Sequence, residues 1–147
     1  MEVIAVTDDR GKVQEPAWLA RAEPIHRQLR PQLPPDYSRR LGEVFGNGAR
    51  MAVVADGDGV VCVTIWRIIE NTFEGRRLYV DDLVSDEARR SSGAGKLLLS
   101  WLESKAKSLD CVVLALDSGV QRQGAHHFYF REGLHISSFS FKKVLHK

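Results

Sequence analysis

Two stretches carry residue types that do chemistry. Arg90-Ser91-Ser92-Gly93-Ala94-Gly95-Lys96 is basic, small and glycine-rich. Glycines let a backbone approach a ligand closely, and unpaired N–H groups at a helix start favour phosphate. Asp81 and Asp82 are adjacent carboxylates inside the apolar run Tyr79-Val80-Asp81-Asp82-Leu83-Val84-Ser85. Burying an unpaired carboxylate is costly, so two in succession need partners or a task. Adjacent strand residues face opposite sides, so only one acid points into a given cleft unless a bulge intervenes. One acid can attract a cationic amine or relay its proton through water. The other can pair with Arg76, Arg77 or a backbone N–H. Two structural ion pairs are the competing reading.

The glycine-rich stretch discriminates among phosphate sites. A nucleotide P-loop needs glycine where Arg90 stands and Ser or Thr where Leu97 stands; a dinucleotide fingerprint needs glycine in place of Leu98. Neither pattern is met. Arg90-Ser91-Ser92-Gly93-Ala94-Gly95 does fit Arg/Gln-x-x-Gly-x-Gly. Metal chemistry has weaker footing. His126 and His127 are adjacent and diverge by ~100° on a helix, which makes a poor metal pair. Cys62 and Cys111 sit in apolar runs outside any C-x-x-C pair, so they read as buried thiols and not as a disulfide or zinc site.

These groups need a scaffold. Glu2 to Thr7 reads as a strand, Pro16 to Leu33 as a helix that Pro24 kinks or restarts, and Tyr37 to Phe45 as a second helix. Met51–Ala55 and Val60–Ile69 flank Asp56-Gly57-Asp58-Gly59, a hairpin signal. Arg76 to Ser85 is a further strand, and a helix from about Gly93 to Ser108 buries Leu97, Leu98, Trp101, Leu102 and Ala106. Cys111 to Leu116 reads as a central strand covered on both faces, so strand, helix and strand form a right-handed crossover. Ser118 and Gln121 read as the capping box of a helix over Gly119 to Glu132 that Gly133 stops. Leu134 to Leu145 reads as a closing strand.

The chain has 147 residues, 44% hydrophobic and 27% charged, with 21 Lys+Arg against 19 Asp+Glu. That is one domain of globular composition, spanning 1–147, with a net charge too small to argue for nucleic acid. Met1-Glu2-Val3-Ile4 lacks the cationic flank of a signal peptide, and no apolar run approaches about 18 residues, so a cytoplasmic protein with no membrane partner is expected.

Beyond the loop, Leu116-Asp117-Ser118-Gly119 and Ala125-His126-His127-Phe128-Tyr129-Phe130-Arg131-Glu132-Gly133-Leu134 complete an ordered set of motifs. From Tyr79 to Leu134 the sequence resembles the Gcn5-related N-acetyltransferases (GNAT). Leu134 departs from the pattern, which commonly has an aromatic there. The resemblance implies an α/β (α+β) fold: a mixed, mostly antiparallel sheet of six or seven strands, about four flanking helices, and a central parallel βαβ crossover at the cofactor cleft.

It also implies acetyl-CoA as cosubstrate, no metal, and direct transfer to an amine of a small-molecule acceptor. Backbone groups of Leu83, Val84 and Ser85 are then expected on the pantetheine arm. Arg90, Ser91, Ser92, Gly93, Ala94, Gly95 and Lys96 are expected at the pyrophosphate. Tyr129 reads on periodicity as a core tyrosine between Phe128 and Phe130; the resemblance makes it the general acid for the CoA thiolate. Asp81 is assigned the proton relay and Asp82 the binding or orienting role. Gln121 and Arg122 are candidate coenzyme contacts, and Asp117 and Ser118 end the strand beside the cleft. The Pro16–Phe45 helices are expected to wall the acceptor site, with Tyr37 a candidate contact. Family members are often dimers, so a homodimer is one expected state. The alternative is a CoA-binding sensor or interaction module, which would need none of Asp81, Asp82 and Tyr129; a longer acyl group is a further alternative.

Overall fold

The hairpin signal at Asp56–Gly59 organises the sheet. In the computed structural model, which describes residues 1–146, β2 (Arg50–Asp56) and β3 (Gly59–Glu70) pair antiparallel from Asp56↔Gly59 to Arg50↔Trp66. Gly57 supplies the positive φ, +61°, that starts their tight turn. β1 (Glu2–Ala5) lies antiparallel along β2, and β4 (Arg76–Ser85) antiparallel along β3. β5 (Val113–Leu116) runs parallel to β4, giving the order β1-β2-β3-β4-β5. The chain divides into two compact units, Met1–Leu116 and Asp117–Lys147.

The first unit contains the sheet and three helices: α1 (Pro16–Leu29), α2 (Tyr37–Gly46) and α3 (Ala94–Ser108). Period-two alternation sends Met51, Val53, Val63 and Ile65 to one face, where they cluster with Leu19, Ala22 and Ile25 of α1 and Tyr37, Leu41 and Phe45 of α2. The Val, Leu, Ile, Phe and Met side chains among these each contribute about 1.5–3 kcal/mol by leaving water. Trp66 belongs to the opposite set and meets Trp101 of α3 edge-on, ring centres 6.3 Å apart. The expected crossover is present as β4–α3–β5.

Several expectations need correction. The sheet has five strands, because Leu134 to Leu145 pairs with no strand among the described residues. The run Cys111–Leu116 yields a four-residue strand at the sheet edge, half-buried because only β4 flanks it. Cys111 is half-buried as well, while Cys62 is buried and its thiol is pushed up to about 11 by that burial. Both cysteines are free. α1 continues through Pro24 but ends at Leu29, since Arg30 precedes Pro31 and the residue before a proline is disfavoured in helix. No helix among the described residues is long and apolar enough to cross a membrane.

Candidate active site

The β3–β4 ladder contains one irregularity. Ile65 pairs with Asp82 and the next residue, Trp66, with Val80, which leaves Asp81 as an extra residue in β4. It is a β-bulge at the acid pair, so simple alternation does not apply there. The parallel β4–β5 ladder ends at Val80↔Leu116, one residue before the bulge. From Asp81 to Ser85 the edge of β4 away from β3 therefore has no strand partner among the described residues. An amide-bearing chain can pair with such an edge as a strand would.

Each acid has a partner. Arg67 of β3 donates to Asp81 Oδ2 from Nε (2.9 Å) and Nη2 (2.5 Å). Asp82 accepts at Oδ2 from His26 Nε2 (2.7 Å) on α1 and at Oδ1 from Arg30 Nε (2.7 Å), the residue that caps α1. Arg30 Nη2 also reaches the carbonyl of the bulged Asp81 (3.1 Å), and Thr64 Oγ1 donates to the Asp82 carbonyl (2.8 Å). Burial alone would raise the Asp82 carboxyl, but the His26 hydrogen bond and the charge and hydrogen bond of Arg30 outweigh it and hold it below the usual carboxylate range. The partners differ from those expected. Arg76 instead holds Glu70 and the Leu109 carbonyl, and Arg77 holds Glu74. His26 was missed in the sequence although a signal was present: it lies on the stripe Leu19, Ala22, Ile25, His26 that α1 buries.

The glycine-rich stretch follows a 3-10 turn at Glu87–Arg89 and enters α3. Ser91 and Gly93 have φ of +64° and +89°. Arg90 and Lys96 are exposed, and Arg89 is held by Asp56. Gly93 caps α3 with no side-chain bond, and the first helical N–H to bond back is that of Leu97, to the Gly93 carbonyl (3.0 Å). The N–H groups of Ala94 and Gly95 thus have no acceptor in their own helix. Ser92 Oγ is buried without a hydrogen-bond partner among the described residues. Unpaired donors, a positive helix end and an orphaned hydroxyl fit a phosphate group.

The second unit contains α4 (Gln123–Arg131). The capping box is not formed: the helix starts at Gln123 with Arg122 as its cap and no side-chain cap bond. Ser118 Oγ is buried without a hydrogen-bond partner among the described residues. Asp117 and Gln121 are exposed. Gly133 does stop the helix, at φ +89°, its N–H bonding Phe130 O (3.2 Å) while the Leu134 N–H bonds Tyr129 O (3.0 Å). Tyr129 is buried, its ring centre 5.5 Å from that of Phe128. His126 bonds the Gly119 carbonyl (2.8 Å) and His127 is exposed. Among the described residues no group of three or more His, Cys, Asp or Glu is placed to hold a metal ion.

The sequence profile of the acetyltransferase (GNAT) family matches residues 16–134. The chain is 38% identical over 71 residues to the uncharacterized N-acetyltransferase YhdJ of Bacillus subtilis, covering 48% of this chain and 50% of that protein. It is 35% identical over 66 residues to the aminoalkylphosphonate N-acetyltransferase of Salmonella typhimurium, covering 45% of this chain and 43% of the relative. The chain thus spans about half the length of the curated relatives it matches. A solved aminoglycoside N-acetyltransferase, AAC(6')-Iy in complex with CoA, superposes with a TM-score of 0.78 over 97% of this chain and 93% of its own, at 11% identity, a likeness of fold.

Proposed function

Because this chain belongs to the GNAT acetyltransferase family, we propose that it is an acetyl-CoA-dependent N-acetyltransferase acting directly on the primary amine of a small, cationic acceptor. The observation that carries the reading is the strand edge of β4 from the bulge at Asp81 to Ser85, which no strand among the described residues pairs, followed by a Ser92 hydroxyl buried without a hydrogen-bond partner among those residues and by a helix whose first N–H groups have no acceptor within it. Acetyl-CoA brings the thioester. Backbone groups of Leu83, Val84 and Ser85 align its pantetheine arm, and the stretch Arg90 to Lys96, with the α3 N-terminus, holds its pyrophosphate. Binding at two points orients the thioester, which is the larger part of what such a transfer needs.

The amine must lose a proton before its lone pair attacks. Asp81 relays that proton to water, Asp82 orients the ammonium form, and Tyr129 returns a proton to the departing thiolate. All of 1–147 acts as one catalytic domain in this reading, supported by a family match that runs from 16 to 134. The Salmonella relative acts on aminoalkylphosphonates by its name, which makes small aminoalkyl compounds the first acceptors to try. A homodimer belongs to the same proposal; its support is the exposure of Ile136, Phe139, Phe141, Val144 and Leu145.

The test is thiol release from acetyl-CoA against a library of primary amines that includes aminoalkylphosphonates. Release with at least one amine bears the proposal out. Tight CoA binding with no release from any amine would instead favour the sensor module.

A further inference from the structure

His26 is 2% exposed, and its ring bridges two other polar groups from different elements. Nε2 lies 2.7 Å from Asp82 Oδ2 on β4, and Nδ1 lies 2.8 Å from the Tyr37 hydroxyl on α2. An ionised carboxylate only accepts, so Nε2 carries a proton. The Tyr37 hydroxyl has no other acceptor among the described residues, so its proton goes to Nδ1. Burial, with Glu23 and Asp82 nearby, raises the phenol well above its usual value and keeps that proton in place. The donors thus run in one direction, from Tyr37 through His26 to Asp82, linking α2, α1 and β4.

This chain of donors fixes a carboxylate. Asp82 is gripped at Oδ2 by His26, at Oδ1 by Arg30 and at its carbonyl by Thr64, while its side chain stays 12% exposed. Each carboxylate oxygen keeps a second lone pair for an incoming ammonium N–H. Replacing a buried ion pair by apolar packing of the same volume is often neutral or stabilising, so stability alone does not account for this network. We propose that His26 is the positioning residue of the acceptor side: with its ring anchored at Nδ1 by Tyr37, it holds the Asp82 carboxylate in one orientation beside the bulge for the acceptor amine. The inference rests on the function proposed above and deepens it.

The charged groups around the network are Glu23 and Arg27 on α1, Arg30 at its C-cap, Arg67 on β3 and Asp81 on β4, with Tyr37 the titratable group from α2. All remain in His26→Leu, which removes both ring nitrogens, and in His26→Gln, which returns one N–H donor. Two readouts apply: the Asp82 carboxyl followed by carbon-13 NMR across pH in the protein alone, and steady-state acetyl transfer with acceptor and acetyl-CoA varied separately. In His26→Leu the Asp82 titration moves to higher pH and the acceptor KM rises by about 10- to 100-fold, the span of one hydrogen bond to a charged group, with the acetyl-CoA KM unchanged. His26→Gln recovers part of both.

An unmoved Asp82 titration with an unchanged acceptor KM in a folded His26→Leu protein overturns the inference and makes His26 a packing residue. If His26→Leu does not fold, His26→Phe decides, because it keeps a ring in the buried site and removes both nitrogens; wild-type values there overturn it equally. A wild-type chain that acetylates no amine overturns the function itself, whereas transfer that these variants leave untouched overturns only the role of His26.

Discussion

Replacing Tyr129 by Phe removes one hydroxyl and keeps a ring that the fold buries. If that hydroxyl protonates the thiolate, turnover falls by roughly 10²-fold while CoA affinity holds. Full-rate turnover in rapid-quench or thiol-release assays would return Tyr129 to the core. Asp82 supports a test that needs no substrate. Its carboxyl is held below the usual range, so the stability it adds is fully present above the unfolded value of about 4 and disappears as pH falls through the lower folded value. Denaturant midpoints from neutral to acid pH should therefore fall for the wild type below about pH 4, and less steeply for Asp82→Asn. Equal slopes would mean that the Asp82 network adds no acid-sensitive stability. The sequence marked Asp81 and Asp82 as acids in need of explanation because they interrupt an apolar run. It did not supply Arg67, His26 and Arg30, which approach from 14, 56 and 52 positions away. Pairings of that separation leave no periodic trace in one sequence.

Helix ends show what local chemistry specifies. α3 closes with Asp110 at φ +59°, its N–H on Lys107 O (3.2 Å) and the Cys111 N–H on Ala106 O (2.9 Å). α4 closes with the same pair of bonds but uses glycine, at Gly133. Asp110→Gly relieves the left-handed strain and should stabilise the fold by about 0.5 kcal/mol, since aspartate tolerates this region better than most residues. A melting temperature raised by about 1–2 °C is the expected reading. At the other end of α3, Gly95→Glu should abolish the melting-temperature rise that acetyl-CoA gives the wild type, by adding a like-charged side chain where phosphate is expected. An undiminished rise would put the coenzyme elsewhere. Gly133 was legible because a helix stop depends on its own φ. The box at Ser118 and Gln121 was misread because the pattern fits, yet the helix starts two residues beyond Gln121. The run from Leu134 has the apolar content of a strand, but a strand exists only with a pairing partner, which composition does not specify.

At the scale of the molecule, the element order from Glu2 to Leu116 could be read from turn residues and hydrophobic period, because the hairpin, the crossover and the paired helices each carry local signals. The bulge could not. A β-strand is a lattice of period two, and the added residue at Asp81 is a phase slip of one step. The slip gives Tyr79 and Asp82, three positions apart, the same parity, opposite Arg67 and Ile65. No substitution can undo it, since parity counts residues and ignores their identities. Only inserting or deleting a residue there resets the count, and every side chain between the slip and Ser85 would then exchange faces. The edge of β4 is protected by a reading frame: a changed side chain leaves its phase in place, and a changed chain length does not.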